Sequence, residues 1–106
     1  MKQKTIDLLN KFFGEDVSGL DNYTLYDMLS DIQPKCRDWE LTDSHRWYDK
    51  VYWILFNNDV HIRFCSYESR SERASSLQDM DVTFDPDEGV VEVGPRVVEV
   101  VKYFPV

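Results

Sequence analysis

The residues best suited to chemistry are two cysteines, Cys36 and Cys65, and two histidines, His45 and His61. Thiolates and imidazoles together make either a zinc site or a nucleophile–base pair. His61 and Cys65 fall in one alternating run, four positions apart, which on a strand is roughly 13 Å at about 3.3 Å per residue. Zinc ligands sit about 2 Å from the metal, so one ion cannot take both residues from a straight strand. The same distance takes Cys65 out of hydrogen-bond reach of His61. No Cys-x-x-Cys occurs. The cysteines read as free thiols behaving as small hydrophobes, with no metal expected.

Other chemistries also fail on spacing. Counting from Asp81 as in a calcium-binding loop puts Asp85 at the fifth position and Glu92 at the twelfth. But Thr83 replaces an acid, and Pro86 stands where the sharp turn needs glycine. The glycines at 14, 19, 89 and 94 make no phosphate cradle. Carboxylates are plentiful, but none shows the desolvated environment a general acid needs. Arg63, Arg70 and Arg73 are interrupted by Glu68 and Glu72, and alternating signs cancel the field a phosphate backbone would require. The chain is therefore expected to bind rather than catalyse, without a cofactor.

Composition bounds the rest. A chain of 106 residues with 42% hydrophobic and 14% aromatic residues can bury a modest core, and residues 1–106 read as a single domain. Twenty acids against 12 bases leave a net charge of −8. That sign disfavours direct contact with nucleic acid or an anionic membrane and favours a basic protein, including enzymes that themselves bind nucleic acid. The acid is uneven, with Asp79, Asp81, Asp85, Asp87, Glu88 and Glu92 close together in the last third. A charged amphipathic N-terminus without an apolar run and two unpaired thiols point to a cytoplasmic location.

The elements follow from hydrophobic period. Ile6, Leu9 and Phe13 recur at helical spacing in residues 4–13, with Gly14 as a stop. Leu25, Met28, Leu29 and Ile32 do so in residues 22–33, with Asp21 or Asn22 as cap and Pro34 preventing continuation. From Tyr48 the period becomes two. Residues 50–56 and 60–67 flank Asn57-Asn58-Asp59 and predict a β-hairpin with its turn at 57–58 or 58–59. In either register Val51, Trp53 and Leu55 share the core side with Val60, Ile62 and Phe64. Tyr52, Ile54 and Phe56 then share the other side with His61, Arg63, Cys65 and Tyr67. Residues 66–78 read as a loop, 85–89 as a turn, and 97–104 as a last strand. The expected fold class is α+β, with two N-terminal helices packed on a mainly antiparallel sheet of three to five strands. Core candidates are Ile6, Leu9, Phe13, Leu25, Leu29, Ile32, Trp53, Leu55, Ile62, Phe64 and Val100.

Two surfaces are candidates for the partner: Tyr52, His61, Arg63 and Tyr67 on the mixed face, and the acids Asp79, Asp81, Asp85, Asp87, Glu88 and Glu92. The pattern Ser75-Ser76-Leu77, Phe84-Asp85-Pro86-Asp87, Val91-Glu92-Val93-Gly94-Pro95 and Tyr103-Phe104-Pro105 resembles small accessory proteins of bacteriophages and other mobile elements. The resemblance covers the C-terminal third and carries no functional residues. It implies an inhibitor of a nucleic-acid-handling host defence enzyme, as anti-CRISPR and anti-restriction proteins are. An immunity protein that neutralises a toxin nuclease fits the same size and charge. A small-ligand domain would need an enclosed pocket where His61 and Arg63 converge. A homodimeric structural domain would pair through its open sheet face.

Overall fold

The computed structural model describes residues 1–70, 77–80, 82–94 and 105, with the backbone alone at 40 and 41. Among them the elements are α1 (Gln3–Phe13), α2 (Asn22–Ser30), β1 (Cys36–Ser44), β2 (Tyr48–Asn57), β3 (Val60–Ser69), α3 (Pro86–Gly89) and β4 (Val90–Val93). The fold is α+β. The two N-terminal helices accompany an antiparallel sheet whose described strands run in the order β1-β2-β3-β4. The expected strand at 97–104, with Val100, lies outside the described residues. No helix among those described is long and apolar enough to cross a membrane.

The turn between β2 and β3 sets the register of the sheet. Asn58 and Asp59 both have positive φ, 48° and 61°, as a two-residue type I′ turn requires, and Asn and Asp tolerate that region better than most residues. Asn57 pairs with Val60, Leu55 with Ile62 and Trp53 with Phe64, the later of the two registers that the sequence allows. The faces fall as expected, with Val51, Leu55, Val60, Ile62 and Phe64 all buried.

The same turn docks on α1. The side-chain amides of Asn57 and Asn58 each donate to the Phe12 carbonyl at 2.9 Å, serving an acceptor that the helix end leaves unpaired. Gly14 closes α1 at φ 73°, and a Cβ there would stand 3.0 Å from Asn58 Nδ2. Both the backbone and the available space favour glycine. At its other end α1 has no side-chain cap of its own. The Lys2 amide instead donates to Asp87 of α3 at 2.8 Å, tying the start of α1 to α3. In α2, the Asp21 carboxylate accepts from the Thr24 amide at 2.8 Å, as an N-cap should. The helix ends at Ser30, three residues short of the expected Gln33. The Ile32 amide bonds the Leu29 carbonyl instead, a tightened last turn before Pro34 forces extended backbone.

The sequence pattern gave no sign of β1. Its pairing runs Asp38↔Tyr52 and then Thr42↔Val51, so residues 39–41 are inserted as a bulge. An insertion of this kind breaks the alternation of two that marks a strand.

The core joins α1 and α2 to the inner face of the sheet through Leu9, Phe12, Leu25, Leu29, Leu55, Ile62 and Phe64. Two of the candidates need correction. Phe12 is fully buried, whereas Phe13 and Ile6 are only half-buried, because α1 turns Thr5, Leu9 and Phe12 inward. Ile32 and Trp53 pack at the margin. The stretch before α3 contributes more than a loop would: Leu77, Met80, Val82 and Phe84 are all buried. Phe84 meets Tyr26 and Phe64 with ring centroids at 5.1 and 5.8 Å.

Candidate functional site

Residues paired across an antiparallel ladder point to the same side, so the outer face can be assembled strand by strand. Cys36 and Asp38 of β1 stand opposite Ile54 and Tyr52. Tyr52, Ile54 and Phe56 of β2 stand opposite Cys65, Arg63 and His61, and Lys50 opposite Tyr67. Val91 and Val93 of β4 continue the row beside Arg63 and His61. The structure thus brings Tyr52, His61, Arg63 and Tyr67 onto one surface. Phe56 is 45% exposed and Val91 37%. Tyr67 packs at the margin of the core and Cys65 is buried, whereas Tyr52, Ile54, Phe56, His61, Arg63, Val91 and Val93 lie outside the core cluster and its fringe.

The cations of this face rest on rings. Lys35 Nζ lies 3.2 Å from His61 Nε2 and 5.7 Å from the centre of the Phe56 ring. An ammonium can only donate, so Nε2 is the acceptor in this contact. His61 also lies against Phe56, centroids 4.4 Å apart. Arg63 reaches over Tyr52 at 5.8 Å. Burial pushes the Cys65 thiol above the usual cysteine range, against hydrogen bonding to Tyr52 and Tyr67, as suits an inert thiol rather than a nucleophile. Burial likewise raises Tyr52 and Tyr67.

Tyr67 also ties this face to the helices. Its amide donates to the Tyr26 hydroxyl at 3.1 Å, on a part of β3 beyond the pairs made with β4. Among the described residues, the groove of about 210 Å³ beside His61 is lined by Lys11, Asp59, Val60, Glu92, Val93 and Gly94, without Arg63.

The acidic candidates are spread over several elements. Asp79, Asp85 and Glu88 are exposed on the segment leading into α3 and on that helix, and Glu92 is exposed on β4. Asp81 lies outside the described residues. Asp87 is committed to the fold, since the Lys2 amide and then the Thr5 hydroxyl hold its carboxyl below the usual range. Asp85 accepts from the Asp87 amide at 3.0 Å and so caps its own helix.

The cysteines and histidines stay apart in role. Cys36 is exposed, and His45 stacks on Tyr48 at 4.4 Å in the β1–β2 turn. Among the described residues, no three of His, Cys, Asp or Glu gather as metal ligands would.

Sequence reasoning missed the β1–β2 hairpin as a surface. Trp39 is 73% exposed and Trp47 57%, each carrying an arginine over its ring, Arg37 at 4.3 Å and Arg46 at 4.8 Å. Two tryptophans in a polar segment with no apolar period were the available signal. Such residues have no core to enter.

No family model, curated protein or solved structure matches this chain.

Proposed function

We propose that the chain is a non-catalytic protein-binding module that holds its partner against the outer face of the sheet. One observation carries this reading: Tyr52, Ile54, Phe56 and Val91 form an apolar row beside His61 and Arg63, with Phe56 and Val91 left substantially exposed. Aromatic and arginine side chains on a rigid strand pair suit a contact surface, because little freedom remains to be lost on binding.

The partner in this reading is a basic protein. A net charge of −8 speeds its approach, while the apolar row supplies the contact. Enzymes that handle nucleic acid are basic where they grip phosphates. The resemblance to phage accessory proteins singles out host defence enzymes among them, with this chain as inhibitor.

Affinity capture from lysate of the native host, at low and high salt, tests the proposal when wild type is compared with Phe56→Asp. A protein that wild type retains at low salt should be released at high salt and should not bind the variant. Recovery of nothing, or equal recovery by Phe56→Asp, contradicts it.

A further inference from the structure

Among the described residues, β4 pairs with β3 no further than Phe64. Past that point the Tyr67 amide donates to the Tyr26 hydroxyl of α2 at 3.1 Å instead. Between α2, this stretch of β3 and residues 77–80 lies a pocket of about 240 Å³. Tyr23, Tyr26, Asp27 and Tyr67 line it together with the buried Leu77 and Met80. Tyr23 stands three residues from Tyr26 and four from Asp27, so the helix presents all three on one side.

The pocket is aromatic and negative. No lysine or arginine is found among its described lining residues, and the exposed Asp27 carboxylate makes no ion pair among the described residues. Burial raises the Tyr26 hydroxyl above the usual tyrosine range, and the charges of Asp27 and Glu68 add to the rise. Two acids therefore act on this site. Elsewhere the chain lays its own cations on its rings, Lys35 on Phe56, Arg46 on Trp47 and Arg63 on Tyr52. Among the described residues, Tyr23, Tyr26 and Tyr67 carry no such cation. One carboxylate is too few to hold a metal ion. Ring faces and a single acid suit instead an organic cation whose charge is spread over methyl groups, because such a group loses its water cheaply.

We propose that this pocket binds a small organic cation of the quaternary ammonium class. The methyl groups sit among the three tyrosines, and Asp27 balances the charge. A ligand that also carries a phosphate is disfavoured, because the same acids repel it. Tyr67 lies six residues along β3 from His61, roughly 20 Å at about 3.3 Å per residue. The site is thus separate from the contact face assigned above, and either assignment can fail alone.

The probe is choline chloride, read by the tyrosine ring signals in NMR spectra of the full chain. Titration should shift Tyr23, Tyr26 and Tyr67 saturably, beyond the effect of sodium chloride at equal concentration, and leave Tyr52 in place. The alcohol 3,3-dimethylbutan-1-ol has the same shape without the charge and should bind roughly fivefold more weakly or worse. Phosphocholine should also bind more weakly than choline. Tyr23 and Asp27 are exposed, so both can be replaced without opening the core. Asp27→Asn should weaken choline binding severalfold and leave the alcohol unaffected, and Tyr23→Leu should weaken choline binding as well. Equal binding of choline and the alcohol, no saturable shift beyond that of salt, or unchanged choline affinity in Asp27→Asn overturns the proposal. Tighter binding of phosphocholine overturns it in favour of a lipid head group. If a variant loses its fold, the comparison of choline with the alcohol on wild type still decides.

Discussion

The two faces of the central hairpin are built from alternate residues of the same strands, yet they have opposite characters. Inward, Val51, Leu55, Ile62 and Phe64 are at most 2% exposed. Outward, one residue along, Phe56 is 45% exposed, and the neighbouring cations rest on rings. The inner face holds the fold together. In the function proposed above, the outer row is the surface that meets the partner. Stability and binding should therefore respond to different mutations, although the positions concerned are one peptide apart.

The largest effect should come from within the core. Phe84 is fully buried against Tyr26 and Phe64, and Phe84→Ala should cost about 3–5 kcal/mol by denaturant unfolding. A loss under about 1 kcal/mol would mean that the segment before α3 does not support the inner face. Gly89→Ala comes next. A Cβ there would stand 2.5 Å from the Phe84 ring, and overpacking at a site this tight costs about 1–3 kcal/mol. A variant as stable as wild type would refute that close approach.

Titration separates the faces more finely. Asp21 is held low by the Thr24 amide, Asp87 by the Lys2 amide and Asp49 by Arg70. Depressed carboxylates stabilise the fold above their unfolded pKa of about 4, and that contribution is lost as pH falls through the folded values. Tyr52 and Tyr67 of the outer face, and Tyr26 of α2, are raised by burial. Their contribution is complete below about pH 10 and disappears as pH rises further. Thermal melts against pH should show both limbs. Asp87→Asn should flatten the acid limb, and Tyr67→Phe the alkaline one. The smallest change in stability should be that of Phe56→Ser, within about 0.5 kcal/mol of wild type, as for an exposed position. A loss comparable to that of Gly89→Ala would make Phe56 a core residue and erase the contrast between faces.

How much was legible in the sequence follows the same division. The β2–β3 hairpin announced itself because alternation and an Asn-Asn-Asp turn agree, and its outer residues Tyr52, His61, Arg63 and Tyr67 were assigned correctly to one face. Strand β1 was hidden by the bulge at 39–41, and Trp39 and Trp47 were overlooked with it. Phe84 and Leu77 reach the core from chain without a period, where pattern has nothing to detect. The acids were easy to see but hard to interpret. Only coordinates separate Asp87, spent on the Lys2 amide, from Asp79, Asp85 and Glu88 at the surface.

The central claim is that the outer sheet face meets the partner. Hydroxyl-radical footprinting of the captured complex against the free chain reads that surface directly. The account predicts that Phe56, Tyr52 and Ile54 lose reactivity on binding while Tyr23 of α2 keeps its own. Unchanged reactivity at Phe56, with protection confined to the helices, would contradict it.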